Sequence, residues 1–292
     1  MTINCKGQLI DLSTPKVMGI LNITPDSFYD GGMHKDEPGI LKHVERMLNE
    51  GSTFIDVGAY SSRPNADHVN ETEELQRIVP IVNLILKEFP NALLSIDTFR
   101  SEVAKQCIDS GAALVNDISA GQLDNNMLST VAKLQVPYIM MHMRGTPQTM
   151  QTQTDYKDLV KDILFYFSER IACAKAMGII DVIVDPGFGF SKTLEQNYQL
   201  LNHLELFNMV EKPLLIGLSR KSMIYKALET TAKEALNGTS ILNTIALQKG
   251  ASILRVHDVK EAVECIKLVG KLEVIMKRTL RNFKNYFTKG NV

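Results

Sequence analysis

No apolar run approaches the roughly 18 uninterrupted residues that a membrane-spanning helix requires, and the opening Met-Thr-Ile-Asn-Cys-Lys-Gly has no hydrophobic leader region. A cytoplasmic protein is expected. Neither sign of charge dominates: 32 Lys and Arg against 33 Asp and Glu give a formal net charge of -1. With both signs interspersed, there is no electrostatic footprint for nucleic acid or an anionic membrane surface, so neither partner is expected and a small diffusible molecule is. Cysteine is scarce. Cys5, Cys107, Cys173 and Cys265 lie far apart with no Cys-x-x-Cys pair, and the last three fall on apolar faces of helix-like segments. All four read as reduced core thiols rather than as disulfide or zinc ligands. Linkers rich in Pro, Gly or Ser, low-complexity segments and close repeats are also missing, so one domain is expected over residues 1–292.

The 292 residues, 45% hydrophobic and 22% charged, suffice for a large core. After a short hairpin in residues 1–14, turning at Lys6-Gly7, eight compact apolar runs follow: "KVMGILN", "TFIDVG", "LLSID", "ALVNDI", "PYIMMH", "VIVDPG", "PLLIGL" and "SILRVH". Helix-like segments separate them, centred on Ile40–Asn49, Thr72–Glu88, Glu102–Ser110, Asn125–Leu134, Tyr156–Met177, Leu194–Leu206, Ala235–Lys249 and Val259–Phe283. Strands apolar on both faces and joined by helices imply a parallel sheet with right-handed crossovers. This number of units closes a (β/α)8 TIM barrel over residues 15–292, with a doubly wound open sheet as the alternative. The longest irregular pieces, Thr24–Pro38, Ser61–Asn70 and Met143–Asp155, each follow the C-terminal end of a proposed strand, the end where barrels carry their active sites.

The residues closing the strands are Asn22, the Ser61-Ser62-Arg63-Pro64 turn, Asp97, Asn116, Met141-His142, Asp185, Ser219-Arg220-Lys221 and Arg255 with His257. Carboxylates, amides and cations converging on one mouth suit a ligand that is a donor-rich heterocycle at one end and an anion at the other. Each position has a plainer reading. Asp97, Ser101, Asn116 or Asp117 could cap helices. "SRKS" could be a solvated basic turn, and Arg255 could be a structural arginine paired with a carboxylate. "DPGFGFSK" lacks the spacing and ending of a phosphate loop; its Pro and glycines fit close backbone approach to a flat ligand, with Phe190 as a wall. Arg255 and His257, two apart on one strand, share a face, and the last strands of a barrel commonly hold phosphate. Met141 is a candidate for packing on a ring. The basic C-terminal stretch "KRTLRNFKNYFTKG" reads as a solvated helix face.

In chain order, "GILNITPDSFYDGG", "SIDTFR", "VNDIS", "DPGFGFSKTLEQN", "GLSRKS" and "NGTSILNTIALQKGASILRVHD" resemble the dihydropteroate synthases, folate-pathway enzymes of the pterin-binding barrel superfamily. The resemblance spans nearly the whole chain. It implies a transferase joining 6-hydroxymethyl-7,8-dihydropterin diphosphate to p-aminobenzoate with release of diphosphate, through a dissociative, cationic pterin. It also implies a pterin pocket of Asp97, Asn116, Ile118, Met141, Asp185, Gly217 and Lys221, with Asp97, Asp185 and Lys221 as the catalytic groups. Diphosphate would fall to Asn22, Arg255 and His257, and Mg2+ to Asn22, Asp30 and the diphosphate itself. The p-aminobenzoate site would use Phe28, Ser62, Arg63, Pro64, Phe190 and Ser222, and the assembly would be a homodimer through outer helices.

The second loop departs from the family's usual Gly-Gly-Glu-Ser-Thr-Arg-Pro: here it reads "GAYSSRP", with Ala59-Tyr60 in place of Gly-Glu and Ser62 in place of Thr. Two other functions share the fold. A pterin-dependent corrinoid methyltransferase needs neither the anion site of "SRKS" and "RVH" nor an aromatic first loop. An inactive pterin-binding paralogue would be expected to have lost part of the pterin or anion set, and neither is broken.

Overall fold

The computed structural model describes residues 1–23, 37–60, 69–272 and 275. The hairpin pairs β1 (Thr2–Cys5) with β2 (Gln8–Asp11), Ile3 opposite Ile10. Its two turn residues both take positive φ, Lys6 at 56° and Gly7 at 81°, the backbone whose twist matches a two-residue hairpin.

Eight parallel strands follow: β3 (Lys16–Asn22), β4 (Phe54–Gly58), β5 (Leu93–Asp97), β6 (Leu114–Asp117), β7 (Tyr138–Met141), β8 (Val182–Asp185), β9 (Leu215–Ile216) and β10 (Ile253–Val256). They are ordered β8-β7-β6-β5-β4-β3-β10-β9, and a parallel bridge between Val184 and Leu214 joins the two ends of the sheet. The result is the expected (β/α)8 barrel. Its outer helices are α1 (Glu37–Asn49), α2 (Glu71–Glu88), α3 (Ser101–Asp109), α4 (Met127–Leu134), α5 (Leu159–Ala176), α6 (Leu194–Asn202), α7 (Ser222–Ala227), α8 (Leu236–Gln248) and α9, helical over residues 259–272.

Strand parity divides the core. Alternate residues such as Val17, Ile55, Val57, Leu94, Val115 and Leu254 pack outward against the helices. The opposite set, including Met18, Phe54, Leu93, Leu114, Ile139 and Ile183, points inward at the bottom of the barrel, where Ile3, Cys5, Ile10 and Leu12 plug it. One layer higher the inward positions turn polar: Asp56, Ser95, Asn116 and Asp185 are all buried. The apolar floor therefore lifts a polar layer to the C-terminal mouth.

Three expectations need correction. "PLLIGL" contributes only Leu215–Ile216 to regular strand, because Pro213 has no N–H to donate and its carbonyl instead accepts from Val184. The segment read as Leu194–Leu206 is α6 followed by a 3-10 stretch over Leu204–Val210, whose buried Leu204 and Phe207 recur at the three-residue period of that helix. Cys173 is exposed, unlike the buried Cys5, Cys107 and Cys265. It lies one position off the α5 stripe of Ile163, Phe167 and Ala174. Among the described residues no helix is long and apolar enough to cross a membrane.

Candidate active site

The centre of the mouth is an arginine held between two carboxylates. Arg255, on β10, donates from Nε to Asp56 Oδ2 at 2.6 Å and from Nη2 to Asp97 Oδ2 at 2.7 Å. Asn116 on β6 donates from Nδ2 to the same Asp56 oxygen at 3.0 Å. Burial disfavours the charged guanidinium, but Asp56 and Asp97 more than reverse this and raise its pKa. Burial also pushes the Asp97 carboxyl up to about 7, against the pull of Arg255 and with a further push from Asp56. Asp97 does not cap α3. The Ser101 N–H at that helix start is met by Asp124 Oδ2 at 2.7 Å instead. Asp117, one residue past Asn116 and of opposite parity, takes the local role: it accepts from Ser119 N, Gly121 N and Tyr138 Oη.

Across the mouth stand Asp185 and Lys221. Asp185 Oδ1 accepts from Gly187 N at 2.8 Å. Burial raises the pKa of its carboxyl, and Lys221 is the strongest of the cations opposing that rise. Lys221 immediately precedes α7; its ammonium donates to Phe188 O and lies 4.9 Å from the centre of the Phe190 ring. Burial lowers it to about 8, with Asp185 countering. Gly217 keeps the space beside it open, since a Cβ there would sit 3.9 Å from Lys221 Nζ and 4.0 Å from Arg255 Cβ.

The "DPGFGFSK" loop is folded around its own lysine. Lys192 Nζ reaches Gly187 O at 2.9 Å, Phe190 O at 3.0 Å and His142 Nδ1 at 3.1 Å. Three acceptors around one amine suit the ammonium form, with His142 neutral and its proton on Nε2, although burial lowers the Lys192 amine to about 7 against the pull of Asp185. Burial, reinforced by Lys192 and Arg144, depresses His142 accordingly. Gly187 is forced by geometry: it has φ +72°, and a Cβ would lie 2.1 Å from His142 O.

An apolar wall adjoins these groups. Ile118, Met141, Met143 and Met150 form one buried cluster with Phe99, Leu123 and Phe190 against it. Behind it sits the departure noted in the second loop. Tyr60 stacks edge-on against Phe99 at 5.1 Å, carries the Arg100 guanidinium over its ring at 5.3 Å, and accepts from Gln148 Nε2 at 2.8 Å. Arg100 is in turn paired with buried Glu74 and donates to Val69 O.

On the anion side, His257 Nδ1 and N both meet Ser219 Oγ at 3.1 Å. Arg220 turns away from the mouth into a two-point pair with Asp258, at 2.8 Å for each bond, so only Lys221 of the basic turn faces inward. Ser222 opens α7, and Asn22 ends β3 exposed to solvent.

The structure thus gathers Asp97, Asn116, Ile118, Met141, Asp185, Phe190, Gly217, Lys221 and Arg255 at one mouth. Phe28, Asp30, Ser62, Arg63 and Pro64 lie outside the described residues. Sequence reasoning missed Asp56, His142's inward partner Lys192, and Ser219 as a partner of His257.

The sequence matches the family model for pterin binding enzymes over residues 18–257. A dihydropteroate synthase of Escherichia coli strain K12 is 44% identical over 271 residues, 92% of this chain and 95% of that protein. Among solved structures, Yersinia pestis dihydropteroate synthase in a sulfonamide drug complex aligns with a TM-score of 0.87 at 43% identity, over 94% of this chain and 100% of that one. The Xanthomonas albilineans enzyme with 4-aminobenzoic acid gives a TM-score of 0.85 at 36% identity, over 93% and 98%. Matched nearly end to end by these relatives and over most of its length by the family model, the chain belongs to the dihydropteroate synthase family of pterin-binding enzymes.

Proposed function

We propose that this barrel, as a cytoplasmic enzyme of folate biosynthesis, joins 6-hydroxymethyl-7,8-dihydropterin diphosphate to p-aminobenzoate, giving 7,8-dihydropteroate and diphosphate. The observation that carries the reading is the meeting of Asp97, Asn116, Asp185 and Lys221 beside the wall of Ile118 and Met141. The amino-oxo edge of a pterin presents N–H donors that the carboxylates and the amide oxygen accept, while Lys221 donates to the ring's acceptors. Gly217 leaves room for the ring.

The bond between the exocyclic methylene and the diphosphate oxygen breaks first, and its electron pair leaves with the diphosphate. Asp97 and Asp185, fixed beside the ring beforehand, stabilise the resulting pterin cation without reorganising. The amine of p-aminobenzoate then attacks the methylene with its lone pair, and the proton it sheds passes to the released diphosphate or to water. Phe190 and Ser222 contribute to the aminobenzoate site, together with Phe28, Ser62, Arg63 and Pro64.

Arg255 and His257, with Asn22, hold the diphosphate. The carboxylate pairing of Arg255 is compatible with this role. A guanidinium has five N–H donors, and the two spent on Asp56 and Asp97 leave three for an oxyanion. Asn22 and Asp30 are the residues we assign to Mg2+. Asn22 fits in chemistry, since it offers a hard amide oxygen at the mouth, and Mg2+ is commonly bound by one or two protein ligands plus substrate phosphates and water. When bound, the ion neutralises charge on the departing diphosphate.

The test is direct. Incubation with the pterin diphosphate, Mg2+ and p-aminobenzoate should yield dihydropteroate and diphosphate in equal amounts. Pterin binding without product would make the chain a binding paralogue.

A further inference from the structure

Asp56 is the charged residue at this mouth set deepest below a strand's end. It lies in the middle of β4, fully buried and inward-facing, between Phe54 on the barrel floor and Gly58 at the rim. Its Oδ2 receives both Arg255 Nε and Asn116 Nδ2, while its Oδ1 is buried with no hydrogen-bond partner among the described residues. A buried carboxylate with an unmet oxygen is costly, and an apolar residue of similar size is often as stable or more so when it replaces a whole buried ion pair. The charge at this position therefore does little for the fold that packing could not do.

It does settle the orientation of a neighbour. The two ends of an asparagine amide are nearly the same shape and differ only in donating or accepting. A carboxylate accepts only. With Asp56 beneath it, Asn116 must turn its NH2 end inward, and its Oδ1, which no donor among the described residues meets, is left as an acceptor for a ligand N–H. The same carboxylate fixes Nε of Arg255, and so the placement of the guanidinium against Asp97.

We propose that Asp56 is a positioning residue for pterin recognition, acting through Asn116. The inference rests on the pterin reading of the pocket. Asp56→Asn is the informative change, because an amide at 56 can donate as well as accept and so satisfies either orientation of Asn116.

The experiment is a double-mutant cycle. Binding of 6-hydroxymethylpterin is measured by calorimetry for the wild type, D56N, N116A and D56N/N116A, with melting temperatures alongside. D56N should weaken binding by about tenfold or more, the scale of a hydrogen bond to a charged group. In the N116A background the same change should cost about threefold or less, since an absent amide cannot be misoriented. D56N binding within about twofold of wild type, or two losses that simply multiply, would overturn the inference. A purely structural role would lower the melting temperature in both backgrounds and leave the binding ratio untouched. Should D56N not fold, D56S enters the same cycle with the same expectations. Failure of the wild type itself to bind the pterin would overturn the reading of the pocket, and this inference with it.

Discussion

At the scale of single residues, the mouth is tuned by burial. Asp97, pushed up to about 7, is a carboxylate above that pH and a neutral acid below it. Lys221, lowered to about 8, is an ammonium below that pH and loses its charge above it. Both charged forms coexist only between the two values, so kcat/KM for the pterin diphosphate should follow a bell with an acid limb near 7 and an alkaline limb near 8. A flat profile from about pH 5 to 10 would contradict the roles given to both groups (limits set roughly two units beyond the two values). Asp185 offers a second test. Asp185→Asn should weaken pterin binding by about 1.5–3 kcal/mol while barely moving the melting temperature. The opposite pattern, lost stability with normal affinity, would make Asp185 a structural residue. Asp97 and Asp185 were legible in the sequence because each ends a strand, and Lys221 because it lies in the turn that follows one, so all three stand at the mouth. Asp56 and Lys192 were not: the first is hidden within an apolar run, and the second turns inward only because the loop closes on it.

At the scale of elements, the loop after β8 shows how glycine placement follows from neighbours. Gly187 and Gly189 both have positive φ, at 72° and 82°, but their surroundings differ. A Cβ at 187 would strike the His142 carbonyl at 2.1 Å, whereas at 189 it would meet Lys221 Cδ at an ordinary 3.4 Å. Gly189→Ala should therefore cost about 1–2 kcal/mol, the backbone term alone. Gly187→Ala should cost more than about 3 kcal/mol, because the peptide of β7 must move as well. Denaturation midpoints measure both, and equal losses would mean the contact with His142 is not a constraint. The alternation of strands and helices was readable because parallel strands are apolar on both faces and helices on one. What escaped was too short to repeat its period or turned on a single cap. α7 has only six residues, too few to show a helical stripe, and the exact start of α5 depends on Asp158 capping Lys161 N rather than on hydrophobicity.

At the scale of the whole molecule, one outer face is apolar among the described residues. On α9, Leu268 and Leu272 are exposed at a spacing of four; Ile275, and Ile241 and Leu228 on α8 and at the end of α7, are exposed as well. These elements adjoin: Cys265 Sγ donates to Ser240 O at 3.6 Å, joining α9 to α8 beside Ile241. A Cβ on Gly238 of α8 would meet Leu228 Cδ1 at 3.1 Å. An apolar stripe continued across neighbouring helices marks an association surface rather than scattered exposure. We assign it to a second copy of the chain, since a two-fold axis needs only one self-complementary patch and cyclic dimers are the commonest soluble assembly. The barrel mouth is built from strand ends and their loops, so separating the copies should leave it assembled. The double substitution L268E/L272E places two charges on each copy at the centre of the stripe, where burying them unpaired would be prohibitive. Analytical ultracentrifugation should then find a dimer for the wild type and a monomer for the variant, with unchanged far-ultraviolet dichroism. A wild type that remains monomeric at tens of micromolar (roughly the range in which a standard-size interface assembles) would show that this face serves something else.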